Sequence, residues 1–80
     1  MAQCKVMDSE LQGSYSGGCV EGLAEGRGEA AGTAKYEGDF RAGRKHGKGV
    51  KTWPNGDRYE GDFVEDRKEG RGTYAWGRGA

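Results

Sequence analysis

From Tyr36 the chain alternates: Tyr36, Gly38 and Phe40 fall on one side, Glu37 and Asp39 on the other. This period of two predicts a half-buried strand with an aromatic-Gly-aromatic face and an acidic face. Twenty-three residues later Tyr59, Gly61 and Phe63 repeat the pattern, interleaved with Glu60 and Asp62. A second strand follows in each copy, over Gly49–Trp53 and Gly72–Trp76. Here Lys51 shares a face with Trp53, and Tyr74 with Trp76. Helix is disfavoured, because glycine at this density costs about 1 kcal/mol per interior position.

The repeat fixes the architecture. Tyr36–Gly49 reads YEGDFRAGRKHGKG and Tyr59–Gly72 reads YEGDFVEDRKEGRG, and 11 of 22 positions from Tyr36/Tyr59 onward are identical. A degenerate copy precedes them, with Tyr15-Ser16-Gly17-Gly18-Cys19 falling on Tyr36–Phe40. Ala42-Gly43, Glu65-Asp66 and Glu21-Gly22 mark the turn within each copy, and Pro54-Asn55-Gly56-Asp57 the turn between the last two. The shorter link Ala30–Thr33 joins the first two. The fold class is therefore all-β: stacked β-hairpins forming one elongated, twisted, curved antiparallel sheet of a single layer. The divisions are an N-terminal segment, 1–14, that caps the array or is flexible, and repeats at 15–35, 36–58 and 59–80. Glycine between the aromatics leaves room for a ring from the adjacent strand to lie across it. The repeat core is Tyr15, Tyr36, Phe40, Trp53, Tyr59, Phe63, Tyr74 and Trp76. Glu37, Asp39, Glu60 and Asp62 are set to face Lys48 and Arg71 across strands.

Composition alone points elsewhere. Leu, Ile, Val and Phe make up one residue in ten, and 32% of the chain is charged, which reads as disorder. The zero net charge and the fixed spacing of the aromatics outweigh it. No apolar run approaches the roughly 18 residues that span a bilayer, and Met1–Gln12 has no signal-peptide core.

These residues resemble the MORN (membrane occupation and recognition nexus) repeat: Tyr-Glu-Gly-acidic-aromatic, a Gly turn, His-Gly-Lys-Gly, then a short aromatic strand. Tyr36–Gly49 carries all of it, and Tyr59–Gly72 departs only at Asp66 and Glu69. The resemblance implies a non-catalytic module for protein or lipid contact, often within a larger protein. The first copy is similar to one found in exported bacterial MORN proteins, with Cys4 ahead of Tyr15–Cys19 and Gly22-Leu23-Ala24-Glu25-Gly26-Arg27-Gly28. That likeness implies a Cys4–Cys19 disulfide and a periplasmic or exported mature segment without its signal peptide. A free Cys19 in a reducing cytoplasm is the alternative. A bond would fold residues 5–18 over the open edge of the first hairpin.

Candidate chemistry is sparse. His46 has no nucleophile or orienting acid marked beside it, and the carboxylate pairs recur as scaffold does. Two Cys and one His are too few for zinc. Gly43–Gly49 lacks the Ser/Thr, spacing and helix of a phosphate loop. No catalytic residue, metal or cofactor is expected, and no enzyme within this chain. Arg41, Arg44, Lys45, His46, Lys48 and Lys51 are the candidate contact for an anionic lipid surface. With no net basic field, nucleic acid is not expected. The first reading of function is a structural or interaction module contacting an unknown protein or a second copy, as a homodimer, through its aromatic face or the C-terminal edge at Thr73–Trp76. Peripheral binding to anionic phospholipid through Arg41–Lys51 is the alternative, and a regulatory fragment of a larger enzyme the second.

Overall fold

A computed structural model describes residues 4–77; the ends of the N-terminal segment and of the third repeat, 1–3 and 78–80, lie outside the described residues. Six strands, β1 (Ser14–Val20), β2 (Leu23–Ala31), β3 (Lys35–Arg41), β4 (Arg44–Thr52), β5 (Arg58–Val64) and β6 (Arg67–Ala75), form one antiparallel sheet in sequence order. The open, single-layer sheet of stacked hairpins extends over 45 × 25 × 16 Å.

Each hairpin closes in two residues with both φ angles positive: Glu21 and Gly22, Ala42 and Gly43, Glu65 and Asp66. This mirror-image turn matches the right-handed twist of the flanking strands. Asp66 is an L-residue at φ 72°, a position Asp tolerates better than most. The second and third turns also bind the strand that follows the turn before them. Gly43 N–H donates to Ala24 O at 2.8 Å, and one repeat on Asp66 N–H donates to Lys45 O at 2.9 Å.

The second strand of each hairpin is longer than the sequence pattern indicates. It begins at Arg44 or Arg67, directly after the turn, and Trp53 and Trp76 fall just beyond its end. A bulge explains the length. Phe40 pairs with Lys45 and Gly38 with Gly49, so His46–Lys48 face the single residue Asp39. The same irregularity recurs between Gly17 and Cys19 and between Gly61 and Phe63.

The tyrosines use that bulge. Tyr15, Tyr36 and Tyr59 each donate a hydroxyl hydrogen bond to the carbonyl of the residue it skips: Gly18 at 2.5 Å, Asp39 at 2.8 Å and Asp62 at 3.3 Å. The ring then lies across a glycine of the neighbouring strand. A Cβ added to Gly49 would meet Oη, Cε1 and Cζ of Tyr36, and one on Gly72 the same atoms of Tyr59. The ring over the glycine therefore belongs to the tyrosine of the paired strand in the same hairpin. Within and between hairpins the rings interlock edge to face, in the order Tyr15, Phe40, Tyr36, Phe63, Tyr59, with centroids 5.0–5.4 Å apart. Each such pair contributes about 0.5–1.5 kcal/mol beyond area burial.

The core on this face comprises Tyr36, Phe40, Tyr59 and Phe63 with Ala24, Ala30 and Ala34, plus Val6 and Leu11 from the N-terminal segment. Tyr15 and Trp53 pack at its margin. Tyr74 and Trp76, expected in the core, are instead exposed, at 39% and 70%. β6 is the outermost strand of the sheet, and among the described residues no further strand lies beside it to cover them.

Replacing Gly49 by Ala is expected to destabilise the fold by about 2–3 kcal/mol, the cost of forcing an atom into a packed ring. Gly22→Ala, which meets nothing within 4 Å and bears only its φ of +77°, should cost about 1 kcal/mol. Urea unfolding of both variants checks the ranking, and equal losses would refute the ring-over-glycine account.

Candidate functional site

The N-terminal segment does not close the open edge of the first hairpin. It crosses the aromatic face as a strap. Lys5 N–H donates to Gly22 O and Met7 N–H to Gly43 O, both at 2.8 Å, so the strap steps from the first turn to the second. It then bends through a short 3-10 turn, Ser9–Leu11, whose Glu10 N–H is capped by the Asp8 carboxylate at 2.9 Å. Ala34 N–H to Glu10 O and Gly13 N–H to Ala31 O return it to β1. Cys4 and Cys19 are joined by a disulfide, with Cα atoms 5.7 Å apart. Burial of Val6 and Leu11, at 4% and 1% exposure, explains the course. This face is the one place where the sheet offers them an apolar bed.

The strap brings its acids onto two lysines. Lys45 pairs with Phe40 in register, and Lys51 with Tyr36 and Tyr59, so both point from the ring face. They are 3% and 6% exposed. Lys45 Nζ binds Asp8 Oδ2 and, at 3.1 Å, Asp66 Oδ1. Lys51 Nζ binds Asp8 Oδ2 at 2.8 Å and Glu10 Oε1 at 2.7 Å. A buried cation is stable only when paired in this way. Burial pushes the Asp8 carboxyl up, but hydrogen bonds from Lys45, Lys51 and the Glu10 amide outweigh it and hold the pKa at about 2. Glu10 is lowered, first by its hydrogen bond from Lys51. Lys51 is raised: burial opposes its charge, and the bonds to Asp8 and Glu10 overcome that.

The six cations expected to act together are thus divided. Lys45 and Lys51 lie under the strap. Arg44 is 3.7 Å from Asp66, and Lys48 is on the opposite face, 2.9 Å from Asp62. His46 is half-buried, with no hydrogen-bond partner for Nδ1 among the described residues, and Arg41 is exposed in β3. Strand alternation separates neighbours in sequence onto two faces, and the bulge at Gly47 shifts the alternation midway. The opposite face is a run of charges in which Lys48–Asp62 and Arg58–Glu60 neutralise one another. Among the described residues no group of three or more His, Cys, Asp or Glu is placed to hold a metal, and no helix is long and apolar enough to cross a membrane.

Sequence reasoning missed Asp8, Glu10 and Asp66 as partners of the lysines. The only local signal was the run Val6-x-Asp8-x-Glu10-Leu11, apolar and acidic by turns. The same reasoning named the C-terminal edge at Thr73–Trp76 but missed that Trp53 and Lys68 join its rings. There Trp53 stacks on Tyr74 at 5.8 Å and Tyr74 lies 4.6 Å from Trp76. Lys68 Nζ stands 5.3–5.7 Å from the rings of Trp53, Tyr59 and Tyr74.

Comparison with known families places this geometry. The MORN repeat model matches residues 36–58 and 59–80, and the chain belongs to the MORN repeat family. Repeats of this family are non-catalytic structural and interaction modules. No curated protein matches the chain.

The strap should loosen in acid. Asp8 has a folded pKa below its ordinary 3.8, so its contribution is complete above that value and is lost as pH falls from about 4 to 2. Allowing for solvent screening, the loss is about 1–2 kcal/mol. Lys51, raised, contributes below its ordinary 10.5 and loses that contribution only in stronger alkali. Asp8→Asn, which leaves two buried ammonium groups short of a carboxylate, should cost about 2–3 kcal/mol at neutral pH. Denaturant midpoints measured from pH 2 to 7 should show a flatter acid limb in this variant.

Proposed function

We propose that the chain is an interaction module that joins a protein partner, or a second copy of itself, through its last hairpin. The observation that carries this is the state of β6: every residue from Arg67 to Ala75 is exposed, and among the described residues no strand pairs with its outer edge. An unpaired strand presents a row of N–H and C=O groups that an incoming strand can complete. Tyr74 and Trp76 supply adjoining apolar surface of the kind enriched at interfaces. The first hairpin offers less, because its face lies under the strap. The Cys4–Cys19 bond supports an oxidising compartment, as in the exported bacterial proteins that the first repeat resembles.

Hydrogen exchange tests the site. Amides of β6 that exchange freely in dilute protein should become protected on self-association or in complex with a partner, and Trp76→Glu should abolish both. An interface mapped to the β1 edge instead would overturn the proposal. Salt-sensitive sedimentation with phosphatidylglycerol vesicles, lost when Arg44 and Lys48 become Glu, would transfer the contact to the cations of the turn region.

A further inference from the structure

We infer that the ring face of the last hairpin docks an extended acidic–apolar segment of a partner protein, held as residues 6–11 are held on the hairpins before it. The inference rests on the interaction reading above and names the chemistry of the partner.

The strap is an example of such a ligand, seated within its own chain. Its apolar residues, Val6 and Leu11, are buried, and between them Asp8 and Glu10 neutralise Lys45 and Lys51. The third hairpin repeats the receiving groups. Lys68 pairs in register with Phe63 as Lys45 does with Phe40. The strap's Met7 N–H is received by Gly43 O, and Asp66 O stands at the same position of the third turn.

Two differences set this hairpin apart. Lys68 has no carboxylate within ion-pair distance among the described residues, whereas Lys45 has two. Asp66 O accepts no backbone hydrogen bond outside the strand ladder among the described residues. The strap does not reach this far, because it bends back at Ser9–Leu11 and is anchored by Cys4–Cys19. The two surfaces are continuous nonetheless. Trp53 is the border: Lys51 Nζ lies 5.1 Å from its ring and Lys68 Nζ 5.3 Å.

The chemistry of the occupant follows. An ammonium over three rings is desolvated on that side and attracts a carboxylate from the open side. Tyr74 and Trp76 offer apolar area for a neighbouring aliphatic or aromatic side chain. An extended backbone suits a turn carbonyl as acceptor, as Met7 shows. On the opposite face Lys48, by contrast, is already paired with Asp62.

Both tryptophans of the chain lie at this surface, so their fluorescence reports on it directly. The oxidised full chain is titrated with the end-capped hexapeptide Val-Met-Asp-Ser-Glu-Leu, and separately with its Asn/Gln counterpart. A saturable change is expected with the acidic peptide, at least about tenfold weaker with the amide peptide and in Lys68→Gln. Lys68 is exposed, so the variant should keep the fold, checked by circular dichroism and an intact disulfide. Equal binding by both peptides, equal binding by Lys68→Gln, or no saturable change up to about 1 mM would overturn the inference. A response to phosphatidylglycerol vesicles without one to peptide would also overturn it, in favour of a lipid surface. Association through β6 with no peptide response removes this inference and leaves the interaction reading standing; absence of both removes both.

Discussion

The fold depends on one repeated contact, a tyrosine ring laid flat over a glycine of the paired strand. A single-layer sheet has no second sheet or helix to bury its face, and this chain has few aliphatic residues with which to build one. The ring supplies both layers at once. It covers the glycine backbone below, and it meets the phenylalanine of the next hairpin edge to face. The hydroxyl is satisfied by the carbonyl at the bulge, so a polar group enters the core without an unpaired donor. Burial pushes the Tyr36 phenol well above its ordinary pKa, which keeps that donor in place. Bulge, glycine and tyrosine are one device; the loss of any member removes the reason for the other two.

A ring ladder alone leaves lysines where a larger core would have leucine. Lys45 and Lys51 occupy positions that are alanine in the first hairpin, Ala24 and Ala30. Alanine there admits the strap closely, and lysine in the second hairpin reaches up to its acids. The strap thus does two jobs: it adds Val6 and Leu11 to the core and neutralises two charges that the ring face would otherwise strand. Electrostatics here sets register more than stability. A buried ion pair contributes little net energy, but a displaced one is expensive, so the strap has one position.

The two ends of the array differ as a result. At the first hairpin, disulfide and strap finish the face. At the last, Lys68, Trp53, Tyr74 and Trp76 carry the same pattern outward without a cover. A stacked repeat contacts only its neighbours, so among the described residues the third hairpin is the one whose ring face stands open.

The amino-acid sequence by itself determined the hairpins. Alternation at Tyr36–Phe40 and Tyr59–Phe63, the turn pairs at 42–43 and 65–66, and the 23-residue period are local patterns, and local patterns are legible without coordinates. The family followed from the same residues. The bulge was not legible, because a single φ of +79° at Gly47 changes which residues share a face, and that separates Lys48 from Lys45 and Lys51. Nor was the course of the strap. Asp8 meets Lys45 and Lys51 across 37 and 43 residues of chain, a pairing that no periodicity encodes. Only tertiary structure decided which cations are buried, which aromatics are bare and which end of the sheet is finished, because each depends on what lies across a face rather than along a strand.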